Sequence, residues 1–117
     1  MNSIPPEIHG QKYVSLVSFR KSGQPVATPI WFAELDGKLY VKTRGDSAKV
    51  KRIRNNPRVR VAPCTIRGRV TGPEFNGSAR LLPQSDWPSA QKAMNRKYWL
   101  AWLPIWSKNN IFIEISV

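Results

Sequence analysis

The sequence predicts a mainly β domain with two or three helices, folded as a closed or split antiparallel β-barrel. Three observations predict it. Short runs rich in β-branched and aromatic residues recur along the chain, bounded by Gly, Pro, Asn and Asp turn signals. Only two stretches carry the boundary signals of helices. Strands that follow one another as hairpins leave two open edges, and closing the sheet on itself removes them. At 117 residues the chain suits one domain, 1–117, able to bury a single core without staples.

Residues 12–20, KYVSLVSFR, form the first predicted strand, and Ser22-Gly23-Gln24-Pro25 turns the chain. Residues 26–33, VATPIWFA, form the second, interrupted by Pro29, which suits an edge or a bulge. Asp36-Gly37 between two apolar runs signals a tight hairpin into a third strand over 38–43. Asp46 or Ser47 then caps a short helix in which Val50 and Ile53 share one face. Asn55-Asn56-Pro57 ends it, because the residue before proline is pushed out of the α region. Residues 58–64, RVRVAPC, alternate as a half-buried strand does. Gly68, Gly72-Pro73 and Asn76-Gly77 punctuate a long bent β segment ending in SARLL. A second helix is predicted over 85–100, with Ser85 near its start and Pro88 in its first turn, and a closing strand over 111–117.

The hydrophobic fraction, 41%, is ordinary, and five Trp and four Phe supply much of the core or interface area. The single cysteine, Cys64, rules out an internal disulfide framework. The N-terminal MNSIPPEIHG has neither the basic nor the apolar region of a signal peptide, and no run is long enough to span a bilayer. These features predict a soluble, cytoplasmic protein with no membrane partner. The net charge of +12 implies an anionic partner without naming it.

Catalytic side chains are scarce. His9 is the only histidine, and it lies in the proline-flanked N-terminal segment. Cys64, beside Pro63, reads as a small buried hydrophobe. The carboxylates are scattered, and no Cys/His cluster has metal-ligand spacing, so no metal site is predicted. An enzyme so built relies on a cofactor for the chemistry, with the protein supplying binding and orientation. The stretch 43–61, TRGDSAKVKRIRNNPRVRV, holds one acid, Asp46, among many Lys and Arg. Thr43 ends a strand, Ser47 opens a helix whose N-terminal N–H groups favour anions, and Lys49 sits in the first turn. The same pattern also describes a capped helix with a solvated basic face.

The run S-A-K-V-K-R-I-R-N-N-P-R-V, preceded by Lys42-Thr43 and by Thr28-Pro29-Ile30-Trp31-Phe32, resembles the pyridoxamine 5′-phosphate oxidase-like family of flavin-binding split barrels. Together with Ala62-Pro63-Cys64, Arg67-Gly68 and Gly72-Pro73, it is most similar to the deazaflavin-dependent oxidoreductase branch, over roughly residues 10–83. The resemblance implies that Thr28, Pro29, Ile30 and Trp31, on to Ala33, line the ring and ribityl chain of a cofactor. Lys42 and Thr43 would flank its phosphate, and Ser47, Ala48 and Lys49 would bind it; Arg44 belongs to the basic surplus around the same site. It also implies a homodimer with the cofactor in a groove between protomers. Thr28 and Ala33 stand where pyridoxamine phosphate oxidases carry Arg and Lys, and no histidine follows His9, so oxidation of pyridoxamine phosphate is not expected.

The basic surplus around the helix, including Lys51 and Arg54, favours the deazaflavin coenzyme F-420, with its polyanionic tail, over FMN. The expected reaction is hydride transfer to a small electrophilic acceptor such as an enone or a quinone-like compound. Trp31, Tyr98, Trp99 and Trp102 are the candidate walls of the acceptor pocket, with Trp106 nearby, and Tyr98 is the candidate proton donor. Three other readings stand beside this one: an FMN-binding protein of the same fold, a cofactor-binding module without turnover, and a nucleic-acid-binding β domain. The last lacks any nucleic-acid-binding motif.

Overall fold

The computed structural model describes residues 4–98 and 110–117. Seven strands and two helices follow in the order β1 (Tyr13–Phe19), β2 (Pro25–Trp31), β3 (Ala33–Leu35), β4 (Lys38–Arg44), α1 (Ala48–Asn55), β5 (Arg58–Pro63), β6 (Phe75–Leu81), α2 (Trp87–Lys97) and β7 (Asn110–Ser116). All the strand pairings are antiparallel, and the spatial order is β2-β1-β5-β6-β7-β4-β3.

That order forces the sheet to curl. β2 and β3 are its two edges, yet only Phe32 separates them in the chain. The edges must come round to each other, and β2 does touch β4. The sequence predicted one interrupted strand here. The structure divides it at Phe32, the fully buried residue that passes the chain from one edge of the sheet to the other. Pro29 lies in edge strand β2, opposite Ser15, where a missing N–H is tolerated.

Alternation along the strands makes two apolar layers. Val14 and Leu16 of β1, Leu39 and Val41 of β4, Val59 and Val61 of β5, and Ile113 and Ile115 of β7 point inward and close on Val50 and Ile53 of α1. The opposite faces of β3, β4 and β7 present Ala33, Tyr40 and Phe112 to Ala90, Ala93 and Met94 of α2. The Asp36-Gly37 hairpin forms as predicted. Both residues take positive φ (53° and 77°), as a two-residue turn matched to strand twist requires.

Two expectations change. Asn76-Gly77 does not interrupt the predicted β segment but lies inside β6, with Gly77 opposite Val59. A Cβ at Gly77 would sit 2.7 Å from the Ser116 carbonyl oxygen, so glycine serves close strand packing there. The second helix is shorter at its start than predicted. A 3-10 turn over Gln84–Asp86 precedes it, and Pro88 falls in its first turn. Among the described residues no helix is long and apolar enough to cross a membrane.

Candidate cofactor-binding site

β4 ends at Arg44, and a turn closed by the Ser47 N–H on the Arg44 carbonyl (3.1 Å) leads into α1. Ser47 is the N-cap, with an extended backbone (φ −70°, ψ 155°). A serine here usually accepts a bond from an N–H of the first turn. This one makes no such bond, yet its Oγ is buried with no hydrogen-bond partner among the described residues. The first intrahelical bond to Ser47 runs from Lys51 N–H to its carbonyl (3.3 Å), leaving the N–H groups of Ala48, Lys49 and Val50 ahead of the helical ladder.

Lys49 is half-buried beside this helix start. Its Nζ donates to Thr43 Oγ1 at 3.0 Å, and Thr43 is itself buried. Burial, and next the nearby Arg52 guanidinium, push the Lys49 amine below the ordinary lysine range. An ammonium has three donors, and a neutral hydroxyl occupies one. The Ser47 hydroxyl, the Ala48 N–H and the Lys49 ammonium, held by Thr43, thus form a cradle with donors to spare at the positive end of a helix. That donor set fits a phosphate group.

The other predicted residues fall around this cradle in different ways. Arg44 pairs with Asp46 at 3.1 Å, with both side chains more than 60% exposed, a weak pair that an incoming anion can displace. Lys42 lies on the opposite face of β4 from Thr43. Its Nζ reaches Gln91 Oε1 of α2 at 2.7 Å and stands 5.8 Å from the Phe112 ring, and burial lowers its pKa. Lys51 and Arg54 are exposed on α1. Thr28, Ile30 and Trp31 of β2 are half-buried and Pro29 is exposed. The register that sets Ala33 opposite Tyr40 carries the preceding β2 residues towards the Lys42–Arg44 end of β4. Trp99 and Trp102, with Trp106, lie outside the described residues.

Tyr98 does not stand as a free proton donor. Its ring stacks on Trp31 at 4.6 Å and 6°, which joins two of the predicted pocket residues. Its hydroxyl, however, accepts from Phe32 N–H (3.1 Å) and lies 2.7 Å from the carbonyls of Phe32 and Lys12. Burial raises its pKa to about 12. The hydroxyl secures the β2–β3 crossing, whose backbone groups no strand ladder satisfies.

Sequence reasoning missed one group. Lys97 continues the buried α2 stripe of Ala90, Ala93 and Met94, and that spacing was the available signal. Its Nζ is buried with no hydrogen-bond partner among the described residues, 3.4 Å from the Phe32 ring centroid, and burial lowers its pKa to about 8. A 250 Å³ cavity beside it is lined by His9, Glu34, Ala93 and Arg96. His9 Nδ1 lies 2.6 Å from Glu34 Oε1, and the Gly10 N–H donates to Oε2 at 3.0 Å. Burial alone would raise Glu34. Those two bonds outweigh it and hold the carboxyl below its usual range. Cys64 is buried, and burial raises its thiol, as expected of a packing residue.

Residues 4–116 match the family model described as pyridoxamine 5′-phosphate oxidase. Among solved structures, one from Listeria innocua, described as a candidate pyridoxamine 5′-phosphate oxidase, superposes with a TM-score of 0.66 at 21% identity, covering 90% of this chain and 82% of that one. The haem storage protein HutZ from Vibrio cholerae gives 0.70 at 12% identity, covering 92% and 82%. An F-420 reductase gives 0.67 at 19% identity, covering 97% and 94%. At these identities the shared property is the fold, a curled antiparallel split barrel. No curated protein sequence matches the chain.

Proposed function

The chain belongs to the pyridoxamine 5′-phosphate oxidase family, and from that premise we propose that it is an oxidoreductase using the deazaflavin coenzyme F-420, or failing that FMN, to reduce a small electrophilic acceptor. The observation that carries the reading is the donor cradle at the start of α1, where, among the described residues, the buried Ser47 hydroxyl has no partner and the neighbouring Lys49 ammonium bonds to Thr43 alone. A buried polar group without a partner destabilises the fold unless something fills the place. A phosphate does so here.

In this reading Ser47 and the Ala48 and Lys49 N–H groups hold the phosphate, and Lys49 adds a charge-assisted bond. Thr43 keeps the Lys49 side chain aimed at the cradle. Arg44 leaves Asp46 to join it. Thr28 to Trp31 wall the ring, and the Tyr98 stack fixes the Trp31 plane. Lys51 and Arg54 contribute a positive field on the exposed side of α1, which suits an acidic tail and accounts for the preference for F-420. The bound coenzyme supplies the hydride, while the protein supplies orientation and a dry, apolar wall. Two copies of the chain complete the groove. The F-420 reductase among the similar structures is in line with this choice. A haem reading has less support in the residues, because the only histidine, His9, is turned onto Glu34.

The test is an absorbance and fluorescence titration with F-420 and with FMN, followed by an acceptor screen with the reduced coenzyme. Saturable binding, tighter for F-420, and reduction of an enone or quinone are expected. Binding without turnover would reduce the protein to a cofactor-binding module. Binding of neither coenzyme would refute the proposal, and salt-dependent binding of oligonucleotides that neither coenzyme displaces would replace it with the nucleic-acid reading.

A further inference from the structure

The cations at the far end of α1 surround a cleft of their own. A cavity of about 420 Å³ opens between the β1–β2 hairpin and the C-terminal end of α1, lined by Phe19, Arg20, Lys21, Gly23, Asn55 and Asn56. The hairpin is well fixed. Gly23 takes φ 91°, its N–H donates to the Arg20 carbonyl at 2.8 Å, and the Arg20 N–H donates to the Gln24 carbonyl at 2.9 Å. On the helix side, Arg52 precedes Asn55 and Asn56 by one turn, and its Nε donates to Ser18 Oγ at 2.6 Å. Arg20 is close enough to Arg52 to weaken its hold on its proton, after burial. Asn56 Oδ1 accepts from the Arg58 N–H at 3.1 Å, which orients the amide and leaves its NH₂ as a donor.

No carboxylate answers this charge. Among the described residues the ion pairs of the chain involve His9, Lys38, Arg44, Arg60 and Arg80, and none involves Arg20, Lys21 or Arg52. The C-terminal end of α1 carries a partial negative charge equivalent to about half an electron, which is less than the charge of Arg20 and Lys21 lining the cleft. An external anion removes the remaining repulsion, and guanidinium forks match phosphate and carboxylate oxygens.

We infer that this cleft binds a small polyanion bearing two or more phosphate or carboxylate groups, held by Arg20 and Lys21 with Arg52 and the Asn56 NH₂ behind them. The site is separate from the Ser47 cradle, which opens the same eight-residue helix at its other end, about 12 Å away along the axis. It stands independently of the cofactor reading. Arg20 and Lys21 line the cleft and Arg52 stands one helical turn behind it, a spread of charge that favours a polyanion over orthophosphate.

Calorimetric titration at 0.1 M salt tests it, with tripolyphosphate, citrate and orthophosphate as probes and a single-stranded oligonucleotide as a separate arm. The variants are Arg20→Ala/Lys21→Ala, whose side chains are exposed and make no bond that closes the hairpin, and Lys49→Ala as the control at the other site. Tripolyphosphate or citrate should bind wild type at least about tenfold more tightly than orthophosphate, and the double variant should lose at least about tenfold, or 1.4 kcal/mol. In Lys49→Ala the binding that depends on Arg20 and Lys21 should stay within about twofold, as distant sites do, while any phosphate held at the Ser47 cradle is lost separately. A preference for tripolyphosphate or for citrate identifies the oxyanion. Unchanged affinity in the double variant, or loss of the Arg20- and Lys21-dependent binding in Lys49→Ala, overturns the assignment. So does binding of the oligonucleotide through Arg20 and Lys21 when neither small polyanion binds.

Discussion

Replacing Tyr98 with Phe removes one oxygen and keeps the ring that stacks on Trp31. The oxygen accepts the Phe32 N–H and reaches the Phe32 and Lys12 carbonyls. Phe32 is fully buried and belongs to neither flanking strand, so its N–H has no ladder partner to fall back on. Leaving a buried donor unmatched costs about 1–3 kcal/mol. Lys12 is exposed and water can replace the tyrosine there, which places the total near 2 kcal/mol. An unfolding entropy of about 2.1 cal/mol/K per residue converts that into a fall in Tm of about 8 °C for this chain length. Thermal melts followed by circular dichroism, with a urea titration in parallel, read the effect. The urea midpoint should fall by about 1 M with the slope unchanged. A Tm within about 1 °C of wild type would show that the Phe32 N–H finds another acceptor, and would remove Tyr98 from its role at the β2–β3 crossing.

Three further outcomes are expected. Glu114 is buried and takes bonds from Arg80 (2.7 and 3.2 Å) and Tyr40 (3.0 Å), and these, Arg80 foremost, hold its carboxyl below the usual range. Glu114→Gln should lower stability by about 1–2 kcal/mol at neutral pH. Because the folded pKa is lowered, the gap should be fully open above the ordinary carboxylate pKa and close as pH falls through the lowered value, as acid unfolding of both proteins would show. Lys97 has the opposite consequence. Its amine titrates near 8 folded and near 10.5 unfolded, so stability from this group rises with pH across that window. Lys97→Met should therefore raise Tm at pH 7, with the advantage shrinking towards pH 10. A constant difference would deny the burial of the amine. Gly77→Ala pushes a methyl to 2.7 Å from the Ser116 carbonyl and should cost about 1–3 kcal/mol by displacing β7, which chemical denaturation would detect.

The parts of the fold legible in the sequence are those fixed by local chemistry. Asp36-Gly37 needs only two neighbours to dictate its turn, Asn56-Pro57 ends α1 through a steric clash within the dipeptide, and Val50 with Ile53 defines a face. The break at Phe32 was hidden because it follows from the spatial order of the strands, which puts β2 and β3 at opposite edges. Gly77 misled for a related reason. Its neighbour is the backbone of Ser116, some forty positions away, whereas the sequence shows Asn76-Gly77 only as punctuation in a β segment. The candidate site divides in the same way. The helix start at Ser47 and Lys49 could be read from the order of residues. The bond from Lys49 to Thr43, the placing of Lys42 on the other face of β4, and the use of the Tyr98 hydroxyl on Phe32 are tertiary facts. Cations also gather beyond the basic run, because the β1–β2 hairpin brings Arg20 and Lys21 to the far end of α1.

The claim that the start of α1 holds a cofactor phosphate is tested most directly by the dissociation constant for F-420 in wild type, Ser47→Ala and Lys49→Ala, each with its unfolding midpoint measured. Neither substitution removes a bond on which the helix depends, so both variants should melt close to wild type. Lys49→Ala should weaken binding by about 10- to 150-fold, the worth of a charge-assisted bond, and Ser47→Ala by a smaller factor in the same direction. Wild-type affinity in both variants would place the phosphate elsewhere and contradict the account.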